Sequence, residues 1–181
     1  VAEYAVGCAL TLLRRITWAN AEICEGNYVE IRTQMIEASL PGLGELVVGV
    51  VGLGTIGTAV ADVFLRMGCR IVYYDPVIGD SPASKRIGAQ ALSLPELLQR
   101  ADIVTLHLPL VESTENLIGL EELALMKPEA VLINAARGGI VDEEALAARL
   151  TSGLLGGAAI DVYADEPPPV NHPLLALNAE T

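Results

Sequence analysis

The amino-acid sequence predicts an α/β fold in which a doubly wound parallel sheet is covered by helices on both of its faces. Short apolar segments rich in Val and Ile alternate along the chain with segments of helical periodicity, as is typical of parallel strands joined by crossover helices. The apolar segments are continuous rather than alternating, which is expected for strands buried on both faces. With 181 residues, the chain is long enough for one domain with a sizeable core.

The predicted elements begin with a helix over residues 1–24, because apolar residues recur on one helical face from Val1 to Ile16. A less regular stretch follows as far as Gly44. Strands are predicted at 46–51, 70–74, 102–106, 130–134 and 156–160. Helices are predicted at 56–67, 93–100, 121–126 and 142–150. We therefore divide the chain 1–181 into a lead-in (1–45), a core with the sheet (46–162) and a C-terminal loop (163–181).

Two of these helices have recognisable start signals. Ser93 and Glu96 have the spacing of a capping box, in which each side chain accepts a hydrogen bond from the backbone of the other residue. Asp142 precedes a run of helix formers and is predicted to be an N-cap. These signals place the starts of the helices at 93–100 and 142–150.

A glycine-rich turn, Gly-x-Gly-x-x-Gly, joins the strand at 46–51 to the helix at 56–67. Gly52 allows a tight turn, Gly54 lets a ligand approach the backbone, and Gly57 lets the helix pack closely on the strand. The first N–H groups of that helix, at its positive dipole end, would bind a pyrophosphate. The order of strand, turn and helix favours dinucleotide binding in a Rossmann-type domain over the alternative, a plain turn between strand and helix.

An acid, Asp75, follows the second predicted strand, where its carboxylate could accept hydrogen bonds from both ribose hydroxyls. The same carboxylate would repel the 2′-phosphate of NADP, so the predicted cofactor is NAD. Polar residues also follow the later strands, namely His107, Asn134, Arg137 and Asp161. Because ligands bind at the carboxyl ends of parallel strands, this convergence predicts a site independently of the glycine turn.

Composition and charge argue against several classes of function. The net charge of −12 is the wrong sign for a nucleic-acid binder. No signal peptide or membrane-spanning segment is recognisable in the sequence. The three cysteines have no metal-ligand spacing, which favours buried thiols in a reducing cytoplasm over the alternative of a structural disulfide.

Three longer segments carry distinctive motifs: Thr-Leu-His-Leu-Pro-Leu at 105–110, Leu-Ile-Asn-Ala-Ala-Arg-Gly-Gly-Ile-Val-Asp at 132–142, and Gly-Ala-Ala-Ile-Asp-Val-Tyr-Ala-Asp-Glu-Pro at 157–167. They resemble the D-isomer-specific 2-hydroxyacid dehydrogenases, and the likeness covers nearly the whole chain in the family's order. The resemblance implies an NAD-binding domain of an enzyme that transfers a hydride between NAD(H) and a small D-2-hydroxy or 2-oxo acid. The family's substrate domain is built from segments before and after this domain, so we expect the chain to be a piece of a longer protein.

The resemblance implies catalytic roles for Arg137 and Glu166. Arg137 matches the arginine that grips the carboxylate of a 2-oxo acid and polarises its carbonyl, and the alternative is a surface ion pair. Glu166 matches the acid that hydrogen-bonds the catalytic histidine, and the alternative is a solvated acid in a Pro-rich loop. The family's histidine would fall just beyond Thr181, and His172 is expected to be only a loop residue.

The resemblance also implies a set of residues around the cofactor. Thr55 and Ile56 would offer backbone N–H groups to the pyrophosphate, although the family often has Arg in place of Thr55. His107 would line the cofactor cleft, and Asp161 would lie near the nicotinamide. The adenosine side would be shaped by Leu108, Pro109 and Thr114, and the nicotinamide ribose would pass close to Asn134, Ala135 and Ala136.

Two functions in different classes remain at this point. The first is the NAD-binding domain of a dehydrogenase, in which Arg137 and Glu166 take part in the reaction. The second is a non-catalytic NAD(H)-responsive binding protein, like the transcriptional corepressors that share this fold. The retained Arg and Glu favour the enzyme. In this family the cofactor domain mediates a two-fold dimer, so we also expect a homodimer that buries part of the first helix.

Overall fold

The computed structural model of the protein describes residues 1–38, 40–79 and 81–177. Its strands are β1 Val47–Val51, β2 Arg70–Tyr74, β3 Gln90–Ala91, β4 Ile103–Leu106, β5 Val131–Asn134 and β6 Gly157–Ile160. They form one sheet in the order β3-β2-β1-β4-β5-β6, and every neighbouring pair is parallel. The chain moves outwards from β1 to β3 and then returns to β4 on the other side of β1. A crevice for a ligand is expected where the order reverses in this way.

The helices are α1 Ala2–Leu13, α2 Ile16–Cys24, α3 Tyr28–Glu37, α4 Thr55–Arg66, α5 Pro82–Arg86, α6 Leu94–Arg100, α7 Leu120–Leu125 and α8 Glu143–Thr151. Short 3-10 turns lie at Leu43–Glu45 and Pro173–Ala176. Of the predicted C-terminal loop, residues 178–181 lie outside the described residues. Among the helices of the described ranges, none combines the length and the apolar character that crossing a membrane would require.

The sheet is buried on both faces, which confirms the predicted doubly wound architecture. On one face α1 and α4 pack against the strands, and Ala5, Phe64 and Ile133 are fully buried there. On the other face α6, α7 and α8 cover the strands around the fully buried Leu97 and Leu146. Burial of each large apolar side chain contributes about 1.5–3 kcal/mol, so these two layers hold the sheet between them.

The N-terminal part differs from the prediction. The predicted helix over 1–24 is two helices, α1 and α2, because Arg15 has a left-handed backbone with φ of 49°. The preceding Arg14 donates from Nη2 to the carbonyl of Pro41, at 2.7 Å. The stretch that was predicted to be irregular contains α3, in which Ile31 is the buried residue. A helix with so little buried surface has no apolar face for a sequence pattern to reveal.

In the core, the five predicted strands are all present, and each ends at the predicted residue. The prediction missed the edge strand β3, whose two exposed residues are too few for any periodicity, and the short helix α5. Both predicted start signals are confirmed. The Ser93 hydroxyl accepts from the amide of Glu96, whose carboxylate accepts from the amide of Ser93. Asp142 Oδ1 accepts from the second and third amides of α8.

Candidate functional site

The carboxyl ends of five strands lie in register along one edge of the sheet. Val51 of β1 pairs with Tyr74 of β2 and with Leu106 of β4. Asn134 of β5 pairs with Leu106 and with Ile160 of β6. The residues that directly follow these strand ends are therefore neighbours along the edge: Gly52, Asp75, His107, Ala135 and Asp161. The structure thus brings together the residues that the sequence places after separate strands.

The glycine turn depends on close backbone contacts. Gly52 has a φ of 95°, and its amide donates to the carbonyl of Tyr74 at 2.8 Å. A Cβ on Gly57 would lie 1.9 Å from the carbonyl oxygen of Gly52, so only glycine permits this packing of α4 on the turn. A Cβ on Gly54 would meet no atom within 4 Å from the described residues beyond its two neighbours in the chain. Gly54 therefore leaves space in front of the turn rather than making room for another part of the protein.

The N-terminus of α4 faces this space. Gly54 is the N-cap and provides no side-chain cap, and the amide of Thr58 donates back to its carbonyl at 2.9 Å. The earlier amides of the helix, those of Thr55, Ile56 and Gly57, have no intrahelical acceptor. The side chains of Thr55 and Ile56 are exposed. This end of α4 can therefore accommodate an anion through backbone donors and the helix dipole.

Asp75 is already hydrogen-bonded to the backbone of two loops. Its Oδ2 accepts from the amide of Leu53 in the glycine turn, at 2.7 Å. Its Oδ1 accepts from the amides of Val77 and Ile78, at 2.9 and 2.8 Å. A carboxylate has about four acceptor positions, so one remains for a ribose hydroxyl. Binding of both ribose hydroxyls, as the sequence suggested, would require the exchange of one of these amide bonds.

His107 follows β4 and lies against Thr105, with its Nε2 2.9 Å from the threonine Oγ1. Burial lowers the pKa of His107 to about 4. The ring is therefore neutral at pH 7, and His107 stands at this edge of the sheet as an uncharged group rather than as a proton donor.

The loop after β4 is shaped by Thr114. Its buried hydroxyl accepts from the amide of Val111 at 2.8 Å and donates to the carbonyl of Pro109 at 2.7 Å. Leu108 is buried and Pro109 is exposed. Thr114 therefore contributes by fixing the course of its own loop, because its hydroxyl is engaged within it.

The loop after β5 is organised by Asn134. Its side chain is buried, with Nδ2 donating to the carbonyl of Arg137 at 3.0 Å and Oδ1 accepting from the amide of Ala136 at 3.2 Å. Arg137 is exposed, and its Nη1 donates to the carbonyl of Ala136 at 2.6 Å. Asn134 thus holds the backbone that presents Arg137, while the small, partly exposed Ala135 and Ala136 leave the edge open.

Asp161 follows β6, is exposed, and donates from its amide to the carbonyl of Asn134 at 3.0 Å. Tyr4 of α1, which is 46% exposed, lies near this side chain. Partial burial, together with the neighbouring side chains of Asp161 and Cys8, raises the pKa of Tyr4. The sequence analysis did not identify Tyr4, since no local motif connects the first helix with the end of β6.

Glu166 lies on a segment that touches the loop of Arg137. A Cβ on Gly138 would lie 1.8 Å from the carbonyl oxygen of Tyr163, so the two backbones are in direct contact. The amide of Tyr163 in turn donates to Glu166 Oε1 at 3.0 Å, and the Glu166 side chain is exposed. The structure therefore places the predicted catalytic pair on adjoining segments of the same edge.

These features fit a dinucleotide. A pyrophosphate matches the space in front of the glycine turn and the open amides of α4. A ribose matches the remaining acceptor position of Asp75. For a metal ion the donor set does not fit: within 1–38, 40–79 and 81–177, no three His, Cys, Asp or Glu side chains are grouped closely enough to hold one.

Comparisons with known proteins identify the family of this domain. Residues 6–180 match the family model described as "D-isomer specific 2-hydroxyacid dehydrogenase, NAD binding domain". The chain is 43% identical to D-3-phosphoglycerate dehydrogenase of Synechocystis sp. over 92% of its length, which corresponds to 29% of that protein. It is 37% identical to glyoxylate reductase of Korarchaeum cryptofilum over 97% of its length and 52% of that protein. The chain therefore spans between about a third and about half of the relatives that it matches.

A solved structure shows the same fold. D-lactate dehydrogenase of Aquifex aeolicus, complexed with NAD and lactic acid, matches with a TM-score of 0.85 and 31% identity. The match covers 99% of this chain and 56% of that chain. These relatives are named as dehydrogenases and reductases, and the comparisons give no support to the non-catalytic alternative.

Proposed function

The chain belongs to the D-isomer specific 2-hydroxyacid dehydrogenase family as its NAD-binding domain, and on this premise we propose that it serves an enzyme that interconverts small D-2-hydroxy and 2-oxo acids. The observation that carries the proposal is the position of the Arg137 loop, which lies on the same sheet edge as the glycine turn. A substrate gripped by Arg137 would therefore be next to a cofactor on that turn.

The residues of the edge have distinct roles in this proposal. The glycine turn and the amides of Thr55 and Ile56 hold the pyrophosphate, and Asp75 binds a ribose hydroxyl. His107, Leu108, Pro109 and Thr114 form the wall after β4, while Ala135, Ala136 and Asp161 border the nicotinamide side. When bound, NAD accepts or supplies the hydride.

Arg137 is proposed to bind the carboxylate of the acid and to polarise its 2-oxo group. A guanidinium presents a planar fork of donors that matches a carboxylate. Arg137 is exposed, and within the described residues its guanidinium donates one hydrogen bond, to the carbonyl of its own neighbour Ala136, so it can turn towards a substrate at the cost of that single bond. Glu166 is proposed to hydrogen-bond a histidine from outside this chain and to hold it protonated for donation.

The cofactor proposal is tested by calorimetric titration of this chain with NADH and with NADPH. Saturable binding of NADH and much weaker binding of NADPH are expected, because Asp75 would repel the 2′-phosphate. Equal affinity for both would contradict the role given to Asp75. Failure of both to bind would contradict an autonomous cofactor site.

The catalytic proposal is tested by Arg137→Lys in the longer protein that carries this chain, with a panel of 2-oxo acids. We expect kcat/KM to fall by about 100-fold or more, because a bidentate, charge-stabilising donor is lost. The affinity for NADH should remain within about twofold. Arg100→Lys, on α6 and exposed, is the matched control and should retain the parent activity.

We also propose a homodimer through the first three helices. Large apolar side chains are exposed there, and α2 has no buried residue: the exposed residues are Ile16, Ile23, Tyr28, Val29 and Ile36. A monomer would leave this surface in water, whereas a two-fold interface would cover it. A monomeric mass by light scattering at working concentration would contradict the proposal, and Ile23→Glu should convert a dimer into a monomer.

Cytoplasmic localisation and the absence of nucleic-acid partners complete the proposal. The free thiols of Cys8, Cys24 and Cys69 support a reducing compartment. The net charge of −12 supports the exclusion of nucleic acid. Fractionation of cells and a gel-shift assay at low salt test these two statements.

A further inference from the structure

Glu143, the first residue of α8, uses both of its carboxylate oxygens to hold one distant segment. Its Oε1 accepts from the amide of Ala164 at 2.8 Å. Its Oε2 lies 2.9 Å from His172 Nε2, and these two side chains are only 12% and 11% exposed. The segment between Ala164 and His172 is therefore fastened at both ends to the same carboxylate, which is itself favoured by the N-terminal dipole of α8.

The other contacts of His172 define its orientation. The amide of Leu174 donates to Nδ1 at 3.3 Å, so the ring proton is on Nε2 and is directed at Glu143. The ring also packs edge-on against Tyr163, with centroids 5.3 Å apart. His172 is thus more than the simple loop residue that the sequence suggested, because it closes a loop over residues 163–174.

Glu166 lies inside this loop, and the loop touches the backbone that carries Arg137. Tyr163 connects Glu166, the Arg137 loop and His172, since its amide donates to Glu166, its carbonyl contacts Gly138 and its ring packs on His172. We propose that Glu143 and His172 are positioning residues that hold the Glu166 loop closed against the Arg137 loop. The proposal rests on the function proposed above, because it assigns the clamp a role in placing Glu166.

The substitution Glu143→Gln breaks this clamp with little change in volume. The wild-type order of groups is an amide donor at Ala164, two carboxylate acceptors, a ring donor, a ring acceptor and an amide donor at Leu174. A glutamine amide replaces one acceptor by a donor. In either orientation of the glutamine amide, and with either tautomer of His172, two donors then face each other at one point in this series of hydrogen bonds.

The first measurement is amide hydrogen exchange in this chain. In Glu143→Gln, the amide of Ala164 and its neighbours up to Leu174 should exchange about tenfold faster, as for the loss of a charge-assisted hydrogen bond. Glu144→Gln, at the next and exposed position of α8, should leave the exchange unchanged. Melting temperatures check that both variants are folded. Unchanged exchange in Glu143→Gln overturns the clamp.

The second measurement is the pH profile of 2-oxo acid reduction in the longer protein that carries this chain. Reduction needs a protonated histidine, and a nearby carboxylate raises the pKa of that histidine. Displacement of Glu166 should therefore shift the alkaline limb of the pH–rate profile to a lower pH by about one unit and should lower kcat, while the affinity for NADH stays unchanged. His172→Phe should change the pH profile and kcat in the same way as Glu143→Gln. His172→Gln keeps a donor for Glu143 and should therefore lose less activity than His172→Phe.

The outcomes separate the two proposals. Faster exchange together with a shifted limb supports the positioning role. Faster exchange with an unshifted limb overturns that role and leaves the clamp a purely structural contact. A wild-type protein without activity on any 2-oxo acid overturns the proposed function, and the role of the clamp fails with it, while the exchange result stands on its own.

Discussion

Asp75→Asn is the substitution whose effect the structure defines most closely. The aspartate joins the glycine turn to the loop after β2 through the amide of Leu53 on Oδ2 and two amides on Oδ1. An asparagine can keep the two bonds at Oδ1, but its NH₂ group would then face the amide of Leu53. Turning the amide over would place the NH₂ group against two donors instead, so at least one bond is lost.

The magnitude follows from the bonds that remain. Loss of one hydrogen bond to a charged acceptor should lower the free energy of unfolding by about 1.5–3 kcal/mol. The removed charge also no longer repels a 2′-phosphate, a repulsion of between about 1 and 4 kcal/mol at 4 Å, depending on the local dielectric. The preference for NADH over NADPH should therefore fall by at least about fivefold.

Urea denaturation and titrations with both nucleotides measure the two effects in the same preparations. Asp62→Asn is the matched control, because it removes the same charge from a partly exposed side chain paired with Arg66 and Arg86 on the surface. Pairs of this kind contribute at most about 1 kcal/mol, and the nucleotide preference should not change. If Asp75→Asn is no less stable than Asp62→Asn and keeps the preference for NADH, the structural reasoning on Asp75 is wrong.

Three further predictions test other parts of the structure. Gly57→Ala should destabilise the chain by about 1–3 kcal/mol because its Cβ meets the Gly52 carbonyl, while Gly54→Ala should leave stability nearly unchanged and weaken NADH binding. Urea midpoints measure the stability of both variants, and titrations with NADH measure their affinity. Equal destabilisation of the two variants would contradict the packing argument. Burial lowers the pKa of His107 to about 4, so below pH 6.5 the unfolded chain binds more protons than the folded chain, and the free energy of unfolding decreases as the pH is lowered. In urea denaturation, His107→Gln should reduce the stability lost between pH 7.5 and pH 5 by about 2 kcal/mol. An identical pH dependence in the variant and the wild type would refute this. Ser93→Ala should cost about 1 kcal/mol in thermal or urea unfolding through loss of the α6 cap, and an unchanged midpoint would show that the cap contributes nothing.

The sheet and the residues at the carboxyl ends of its strands could be predicted because their signals are local. Continuous apolar runs identified the strands, and each run ended where its strand ends. Parallel pairing then places the following residues on one edge, so Asp75, His107 and Asp161 could be grouped without knowledge of any contact. The glycine turn was also predictable, since the steric need at Gly57 is a property of the strand–turn–helix unit itself.

The parts that escaped prediction depend on contacts between residues far apart in the sequence or on very little burial. Helix α3 buries too little surface to show an apolar face, and the break at Arg15 is a single backbone conformation within an unbroken apolar pattern. The pairing of Glu143 with His172 spans 29 residues and joins a helix start to a Pro-rich loop. Neither residue has a neighbour in sequence that indicates its partner.

The polar residues of the edge divide into two groups, which differ in their burial and in the hydrogen bonds that their side chains make. Asn134 and Thr114 are buried and spend their side-chain hydrogen bonds on the backbone of their own loops. Arg137 and Glu166 are exposed, and among the residues that the structure describes each side chain makes one hydrogen bond, to nearby backbone. Buried groups with satisfied hydrogen bonds make the loops rigid, so the exposed groups are presented at defined places, where under the proposed function each would exchange one solvent-exposed hydrogen bond for a substrate or a histidine. A sequence motif identifies both groups together, and only the hydrogen-bond partners distinguish the residues that fix the loops from the residues that are exposed on them.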